Sequence, residues 1–334
     1  MKHANVAIFV PHIGCPNRCS FCNQNSISGQ QAAPSPEDAA AACRQAIADL
    51  GENAPMAQAA FFGGSFTAIP REYMLALLRA VQPYIGPGKL SGIRLSTRPD
   101  AISRQVLDLL VQHKVTAIEL GVQSMDNAVL AANYRGHTAK DVENACALIR
   151  QYPIELGLQM MVGLQGETEG SLRYTAEKIA DLLPDTLRIY PTLVIKGTQL
   201  ARWYQEGLYT PLSLQQAVEQ CAFLLEFFGE KKIPVIRLGL HASTFLEGDI
   251  LAGPYHPAFR ELCENKIYLN HAFELLTNMP KEKKYHLLAG PAFLSKAVGQ
   301  NKKNIEALRQ AGYNVQVKPK PGLALYQLKV EEAQ

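Results

Sequence analysis

The chain has 334 residues, enough for one large domain and a small appendage, and 47% of them are hydrophobic, so a substantial core can form. No run of about 18 apolar residues suggests a membrane span. The seven cysteines follow no disulfide-type framework, which fits a reducing cytoplasm. The net charge of +3 is unevenly spread: residues 281–334 hold ten lysines and arginines against four acidic residues, +6, leaving −3 on the rest.

Val6–Val10 reads as a buried strand, since the N-terminus lacks a signal peptide's long apolar core and cleavage site. A helix is expected over 36–50, with Ser35 as a candidate cap. Then follow a strand at Ala59–Phe62, a helix over 71–82, a strand at Gly92–Ser96 and a helix over 101–113. Next come a strand at Thr116–Leu120, a helix over 139–151, a strand at Glu155–Val162 and a helix over 169–183. A strand at Thr186–Tyr190, a helix over 213–229 and a short strand at Pro234–Leu238 close the series. Repeated strand–helix units predict parallel strands with helices packed outside. The fold class is α/β: a partial (β/α)6-type TIM barrel over residues 1–240, in which chemistry sits at the C-terminal ends of the strands.

Residues 241–280, with Gly248, Gly253, Pro254, Pro257 and Pro280, read as a connecting segment. Residues 281–334 read as a small basic α/β domain. Its expected elements are a strand at Tyr285–Leu288, a helix at Pro291–Val298, a loop at Gly299–Lys302, a helix at Lys303–Ala311, and strands at Asn314–Val317 and Ala324–Val330. That order resembles a KH RNA-binding module, whose Gly-x-x-Gly loop grips nucleotides; Lys302 stands in the second glycine's place, so the match is degenerate. Two readings stay open. The segment is a cap on the barrel with solvated lysines, or it binds RNA through salt-sensitive contacts of Lys296, Lys302 and Lys303.

Cys15, Cys19 and Cys22 form a C-x3-C-x2-C run. Three thiolates this close can ligate three irons of a [4Fe–4S] cluster, and with no fourth cysteine in the run one iron stays open. A zinc site or three buried thiols are the alternatives, but zinc usually takes four ligands in paired spacings, and no second pair lies nearby. Cys43, Cys146, Cys221 and Cys263 stand singly in apolar contexts and read as packing residues. Phe21 either shields a cluster from water or packs in the core. Gly63-Gly64-Ser65 follows the second strand, where two glycines let backbone approach a ligand closely or simply make a tight turn. Arg98 follows the third strand and either clamps a carboxylate in a bidentate way or bridges local loops. Gln123 ends the fourth strand, Gly163 the fifth, and Arg188 lies in the sixth. His137 either caps the next helix or faces the pocket.

The cysteine run resembles the signature of radical S-adenosylmethionine (SAM) enzymes. Further pieces are Gly63–Thr67, Thr97–Asp100, Glu119–Ser124, Arg135–Thr138 and Arg188–Thr198. Together they resemble the radical SAM core of the tRNA-modifying catalytic subunit of Elongator, over roughly residues 6–240. The resemblance implies a [4Fe–4S] cluster on Cys15, Cys19 and Cys22, with the amino and carboxylate groups of SAM on the open iron. It implies that Gly63, Gly64, Ser65, Arg98, Gln123, Gly163 and Arg188 surround SAM, so that Gly64→Val should impair SAM binding and leave the cluster intact. It implies an external flavodoxin- or ferredoxin-like electron donor. It also implies reductive cleavage of SAM to a 5′-deoxyadenosyl radical that takes a hydrogen atom from an RNA base, in tRNA above all. Other catalytic residues are not assigned.

Two departures matter. The Elongator subunit has a longer gap between its first two cluster cysteines. It also carries an acetyltransferase domain, for which the residues after 240 are too few, so its carboxymethyl-uridine product is not carried over. Two rival readings remain: a radical SAM enzyme acting on a small molecule such as a tetrapyrrole, whose propionates arginines could serve, and a non-catalytic iron–sulfur protein that binds RNA or senses redox state.

Overall fold

The computed structural model describes residues 4–15, 18–29, 32–240 and 244–333. The chain divides into two compact units, Met1–Pro211 with Ile233–Gly253, and Leu212–Lys232 with Pro254–Gln334.

In the first unit, β1 (Ala4–Phe9) leads to α1 (Gln24–Ser28) and α2 (Pro36–Leu50). Strand–helix pairs follow: β2 (Ala57–Phe62) and α3 (Arg71–Val81), then β3 (Ile93–Thr97) and α4 (Arg104–Gln112). β4 (Val115–Gln123) is followed by two helices, α5 (Asn127–Ala132) and α6 (Ala139–Ile149). β5 (Glu155–Val162), α7 (Glu169–Asp181), β6 (Thr186–Pro191), β7 (Val194–Ile195) and α8 (Gln199–Gln205) come next. After α9 (Leu214–Glu230), which groups with the second unit, the chain returns as β8 (Val235–Leu238), α10 (Thr244–Asp249) and β9 (Ile250–Ala252).

Seven strands form one sheet in the order β1-β2-β3-β4-β5-β6-β8, and every neighbouring pair is parallel. The result is a curled half-barrel, as the alternation of apolar runs and amphipathic segments predicts. β2 is almost wholly buried, which suits a central parallel strand covered on both faces. Among the described residues four helices start at capping boxes, Ser35 with Asp38, Thr138 with Asp141, Thr168 with Ser171, and Ser213 with Gln216, and each box satisfies N–H groups that a helix start leaves open. Ser35 caps α2 as expected; α6 is capped by Thr138 and not by His137. The sheet carries a bulge between Gly121 and Gln123 at the end of β4, which re-aims the Gln123 side chain.

The second unit holds α9, α11 (Phe259–Leu276), β10 (Lys284–Ala289), α12 (Leu294–Val298), α13 (Lys303–Gln310), β11 (Asn314–Pro319) and β12 (Leu328–Glu332). Its three-stranded sheet has β10 in the centre, parallel to β11 and antiparallel to β12. Ala272 and Leu276 of α11 pack with Tyr285, Leu287, Leu308 and Tyr313 in its core. Residues 259–276, read from sequence as part of a connecting segment, are therefore an 18-residue core helix, and α9, read as part of the barrel, groups with it. β12 starts at Leu328 because Ala324 and Gln327 close a turn, with Gln327 N donating to Ala324 O at 3.1 Å.

The turn from α12 to α13 is tightly held. A Cβ on Gly299 would lie 2.8 Å from Asn304 Cγ, and Asn304 Nδ2 donates to Asn265 O at 2.8 Å. Asn301 and Lys302 both take positive φ. Lys302 and Lys303 are exposed, whereas Lys296 is committed to the buried Glu264 at 2.7 Å. Among the described residues no helix is long and apolar enough to cross a membrane.

Candidate active site

At the C-terminal ends of the strands, the loop from β1 to α1 packs on the loop after β2. Val10 N donates to Phe62 O at 2.7 Å and Ser65 N to Ile13 O at 3.0 Å. Gly14, Gly63 and Gly64 have φ of +78°, +84° and +43°, a region that side chains disfavour. The loop then passes Ser20, whose backbone N–H donates to Asn133 O, whose hydroxyl donates to Asn133 Oδ1 at 2.8 Å, and whose carbonyl accepts from Leu200 N at 2.7 Å. These anchors hold the chain just before Cys15 and just after Cys19.

Cys15, Cys19 and Cys22 all line one cavity of about 340 Å3 within the first unit. Arg135 Nη1 donates to Cys19 Sγ at 3.1 Å and Gln24 Nε2 to Cys22 Sγ at 3.3 Å. Burial, and then the neighbouring Cys19, raise the thiol pKa of Cys15; the same two causes push Cys22 up to about 12. Each of these two thiols is thus held protonated by burial and by the negative charge a neighbouring thiolate would carry. Among the described residues no three His, Cys, Asp or Glu side chains converge as ligands of a single metal ion. A [4Fe–4S] cluster asks for a different arrangement, one thiolate on each of three irons.

Gly63, Gly64, Arg98, Gln123 and Arg188 also line this cavity. Ser65 and Gly163 are not on its wall. Ser65 is fully buried, with its hydroxyl 2.8 Å from Thr97 Oγ1 and accepting from Arg98 N at 3.2 Å. Gly163 is pinned from both sides: its N–H donates to Glu167 Oε1 at 2.6 Å and its carbonyl accepts from Tyr209 Oη at 2.6 Å. Burial raises the Glu167 pKa to about 7.

Arg98 is not a free fork. Its Nε and Nη2 donate to the two carboxylate oxygens of Asp100 at 2.9 and 2.8 Å, leaving Nη1 buried and without a partner. Arg188 pairs with Glu119 Oε2 at 2.7 Å and lies 5.2 Å from the centre of the Phe62 ring. The other oxygen of Glu119 takes Arg94 Nη1 at 3.1 Å. Gln123, at φ +68°, accepts from Gln159 Nε2 at 3.3 Å. Phe21 packs in the core against Val194, Leu200 and Leu164, and it also lines the cavity. His137 is buried off the cavity wall, 3.3 Å from Val122 O. Burial first, then Arg135 and Arg98, lower its pKa to about 4. Cys43, Cys146, Cys221 and Cys263 are each buried in separate helices.

The radical SAM superfamily model matches residues 9–179, about half of the chain, and the radical SAM C-terminal domain model matches residues 184–269. The chain belongs to the radical SAM superfamily. Radical SAM enzymes use a [4Fe–4S] cluster and SAM, and this chain is one of them. It is 26% identical over 239 residues to the tRNA uridine(34) acetyltransferase of Dehalococcoides mccartyi, covering 62% of this chain and 52% of that protein. It is 29% identical over 201 residues to Elongator complex protein 3 of Saccharomyces cerevisiae, covering 54% and 36%. The chain thus spans about half or less of the length of these relatives. The solved archaeal Elp3 of Methanocaldococcus infernus, lacking residues 1–46, superposes with a TM-score of 0.60 at 20% identity, covering 80% of this chain and 64% of that one. The likeness establishes a shared fold.

Several residues of the radical SAM cavity escape a reading of strand ends alone. Asn5, Ala7 and Phe9 of β1, Glu119 of β4, Gln159 and Met161 of β5, and Tyr190 of β6 line its wall. Their signal is period two: alternate positions of a strand face one side, so a polar residue recurring in an apolar strand marks the lumen. Arg135 gives no such signal, because only the fold buries it.

Proposed function

We propose that this protein reductively cleaves SAM in the cavity of its first unit and uses the product to modify a base of an RNA, a transfer RNA above all. Cys15, Cys19 and Cys22 would hold the cluster. Their thiols must lose protons to bind iron, so loading releases protons and is favoured as pH rises. When bound, the reduced cluster and SAM supply a 5′-deoxyadenosyl radical.

The residues then divide the work. Gly63 and Gly64 present bare backbone at the cavity wall, where SAM would lie against it. Arg98 Nη1 and the Gln123 amide offer hydrogen bonds from the ends of the neighbouring strands β3 and β4. Phe9, Phe62, Phe21 and Met161 supply apolar wall that keeps water out. The single observation that carries the reading is the meeting of three cysteine thiols and a buried arginine on one cavity. The RNA assignment is supported by what the relatives' names say they act on and by the +6 charge of residues 281–334. Lys302 and Lys303, exposed beside the α12–α13 turn, would meet phosphate.

A tetrapyrrole substrate fits less well, since Arg98 and Arg188 are already paired with Asp100 and Glu119. The test is anaerobic reconstitution with iron and sulfide, followed by dithionite, SAM and bulk tRNA. Formation of 5′-deoxyadenosine is expected, and so is a nucleoside missing from the tRNA of deletion cells by mass spectrometry. No cleavage of SAM by a fully loaded protein would overturn the enzymatic reading; cleavage with unchanged tRNA nucleosides would overturn the RNA assignment.

A further inference from the structure

Arg18 lines the cavity too, but it is exposed to solvent; among the buried arginines of the cavity, charge is balanced except at one point. Glu119 is shared by Arg94 and Arg188, and Arg94 also pairs with Glu155 at 2.8 Å. Arg98 is neutralised by Asp100. Arg135 is different. It is 6% exposed, and among the described residues no carboxylate pairs with it. Its guanidinium donates to Cys19 Sγ through Nη1 and to Gly121 O through Nη2, while Nε is buried without a partner.

The position is also built to hold a guanidinium. Arg135 N donates to Leu130 O at 3.0 Å, fixing the backbone at the end of α5. Gly121 leaves the guanidinium its room, for a Cβ there would lie 3.2 Å from Arg135 Nη2 and 3.1 Å from Gln123 Nε2 and would press both side-chain ends aside. Burying a cation with no counter-ion costs several kcal/mol. A protein keeps such a charge where its working state brings an anion to it.

We infer that Arg135 is the fixed counter-charge of the cluster site: a positioning residue that holds the Cys19 sulfur and, by its charge, stabilises the reduced cluster over the oxidised one. This rests on the reading that Cys15, Cys19 and Cys22 hold the cluster. Reduction adds one electron and makes the cluster one unit more negative, so a cation fixed at a ligand sulfur favours the reduced form. The same cation has nothing to neutralise in the metal-free protein.

Two measurements test this. In the first, the cluster of the reconstituted holoprotein is titrated with dithionite without SAM and followed by electron paramagnetic resonance. Arg135→Gln should make reduction about tenfold less favourable, about 59 mV more negative for one electron. Arg135→Lys, which keeps the charge, should stay within about threefold of the parent. Equal shifts in the two variants, or none in Arg135→Gln, would overturn the inference. In the second, the metal-free protein is melted. Arg135→Met should melt at or above the parent, because an unpaired buried cation has been removed. A clear fall in melting temperature would reduce Arg135 to a structural role and overturn the inference. This arm needs no cluster, so it stays decisive if the variant loads poorly. A parent protein that takes up no cluster at all would count against the function proposed above, and the melting arm would still judge Arg135.

Discussion

Gly14 and Gly64 lock two loops together. A Cβ on Gly64 would lie 2.3 Å from the carbonyl oxygen of Ile13, and a Cβ on Gly14 would lie 2.3 Å from that of Ser65. Each glycine makes room for the other loop's backbone. Since Ile13 immediately precedes Gly14 and Cys15, the Gly-Gly strand end shapes the cysteine loop as well as offering a surface to SAM.

The expected effect of Gly64→Val changes accordingly. The new side chain meets backbone that cannot swing away, at a φ of +43° that a β-branched residue resists. Iron bound after reconstitution should fall well below about four per chain, together with SAM binding. Gly207→Ala is the control, with φ +73° and open space at its Cβ; it should cost about 1 kcal/mol and leave iron unchanged. Full iron content in Gly64→Val would sink this account.

Replacing Cys43, Cys146, Cys221 or Cys263 singly by alanine should leave iron content unchanged while costing about 1 kcal/mol each, since every one is buried. Iron assay and urea denaturation read the two effects separately. A halving of iron in any of them would point to an auxiliary cluster.

Glu119 is the hinge of a buried charge network. Glu119→Ala should destabilise the protein by on the order of 3–5 kcal/mol, because Arg188 is left buried and unpaired while Arg94 keeps Glu155. The double change Glu119→Met with Arg188→Met should recover most of that loss. Denaturant midpoints decide it, and a double variant as weak as the single would refute the pairing argument.

His137 makes the fold acid-sensitive. Its pKa falls from 6.5 to about 4 on folding, so below 6.5 the unfolded chain binds a proton that the native state refuses. Its contribution is present above pH 6.5 and is lost as pH drops towards 4, by about 3 kcal/mol in full. His137→Gln should flatten the stability curve between pH 6.5 and 4. A curve parallel to that of the parent would show that other groups set the acid limit.

If the second unit binds RNA, Lys302→Ala with Lys303→Ala should weaken tRNA binding and lower the salt slope by about 0.7–0.9 per lysine. Lys296→Ala should act on stability instead, since its ammonium is held by Glu264. Cutting the chain at residue 281 is a poor test, because α11 would keep Ala272 and Leu276 and lose the sheet they pack on. A charge-neutral pair at 302 and 303 that binds tRNA like the parent, at two salt concentrations, would exclude this surface.

Much of the first unit was legible because its strands are short, mainly apolar runs alternating with amphipathic segments and its helices begin at capping residues such as Ser35. The cysteine loop was legible because its chemistry is local. α11 was not, because buried Glu264 and Asn265 interrupt its apolar stripe and Pro254, Pro257 and Gly253 crowd its entrance. Between the two readings of Arg98, a carboxylate clamp or a local bridge, the sequence does not decide, because nothing in Arg-Pro-Asp says that Asp100 will turn back onto it. Arg135 stands in the sequence only as part of the Arg135–Thr138 piece, and nothing local says that it reaches both Gly121 at the end of β4 and Cys19 in the cysteine loop.

The anchoring of Ser20 has a consequence for how this loop can vary. Behind Cys19, Ser20 is tied to Asn133 and Leu200; ahead of Cys15, Gly14 is wedged against Ser65. The stretch from Cys15 to Cys19 therefore runs between two moorings that do not depend on its length. Extra residues inserted there leave the bonds that hold Ser20, beside Cys19, untouched. The spacing of the first cysteine pair is thus the adjustable dimension of this motif, and the spacing of the second pair is the fixed one.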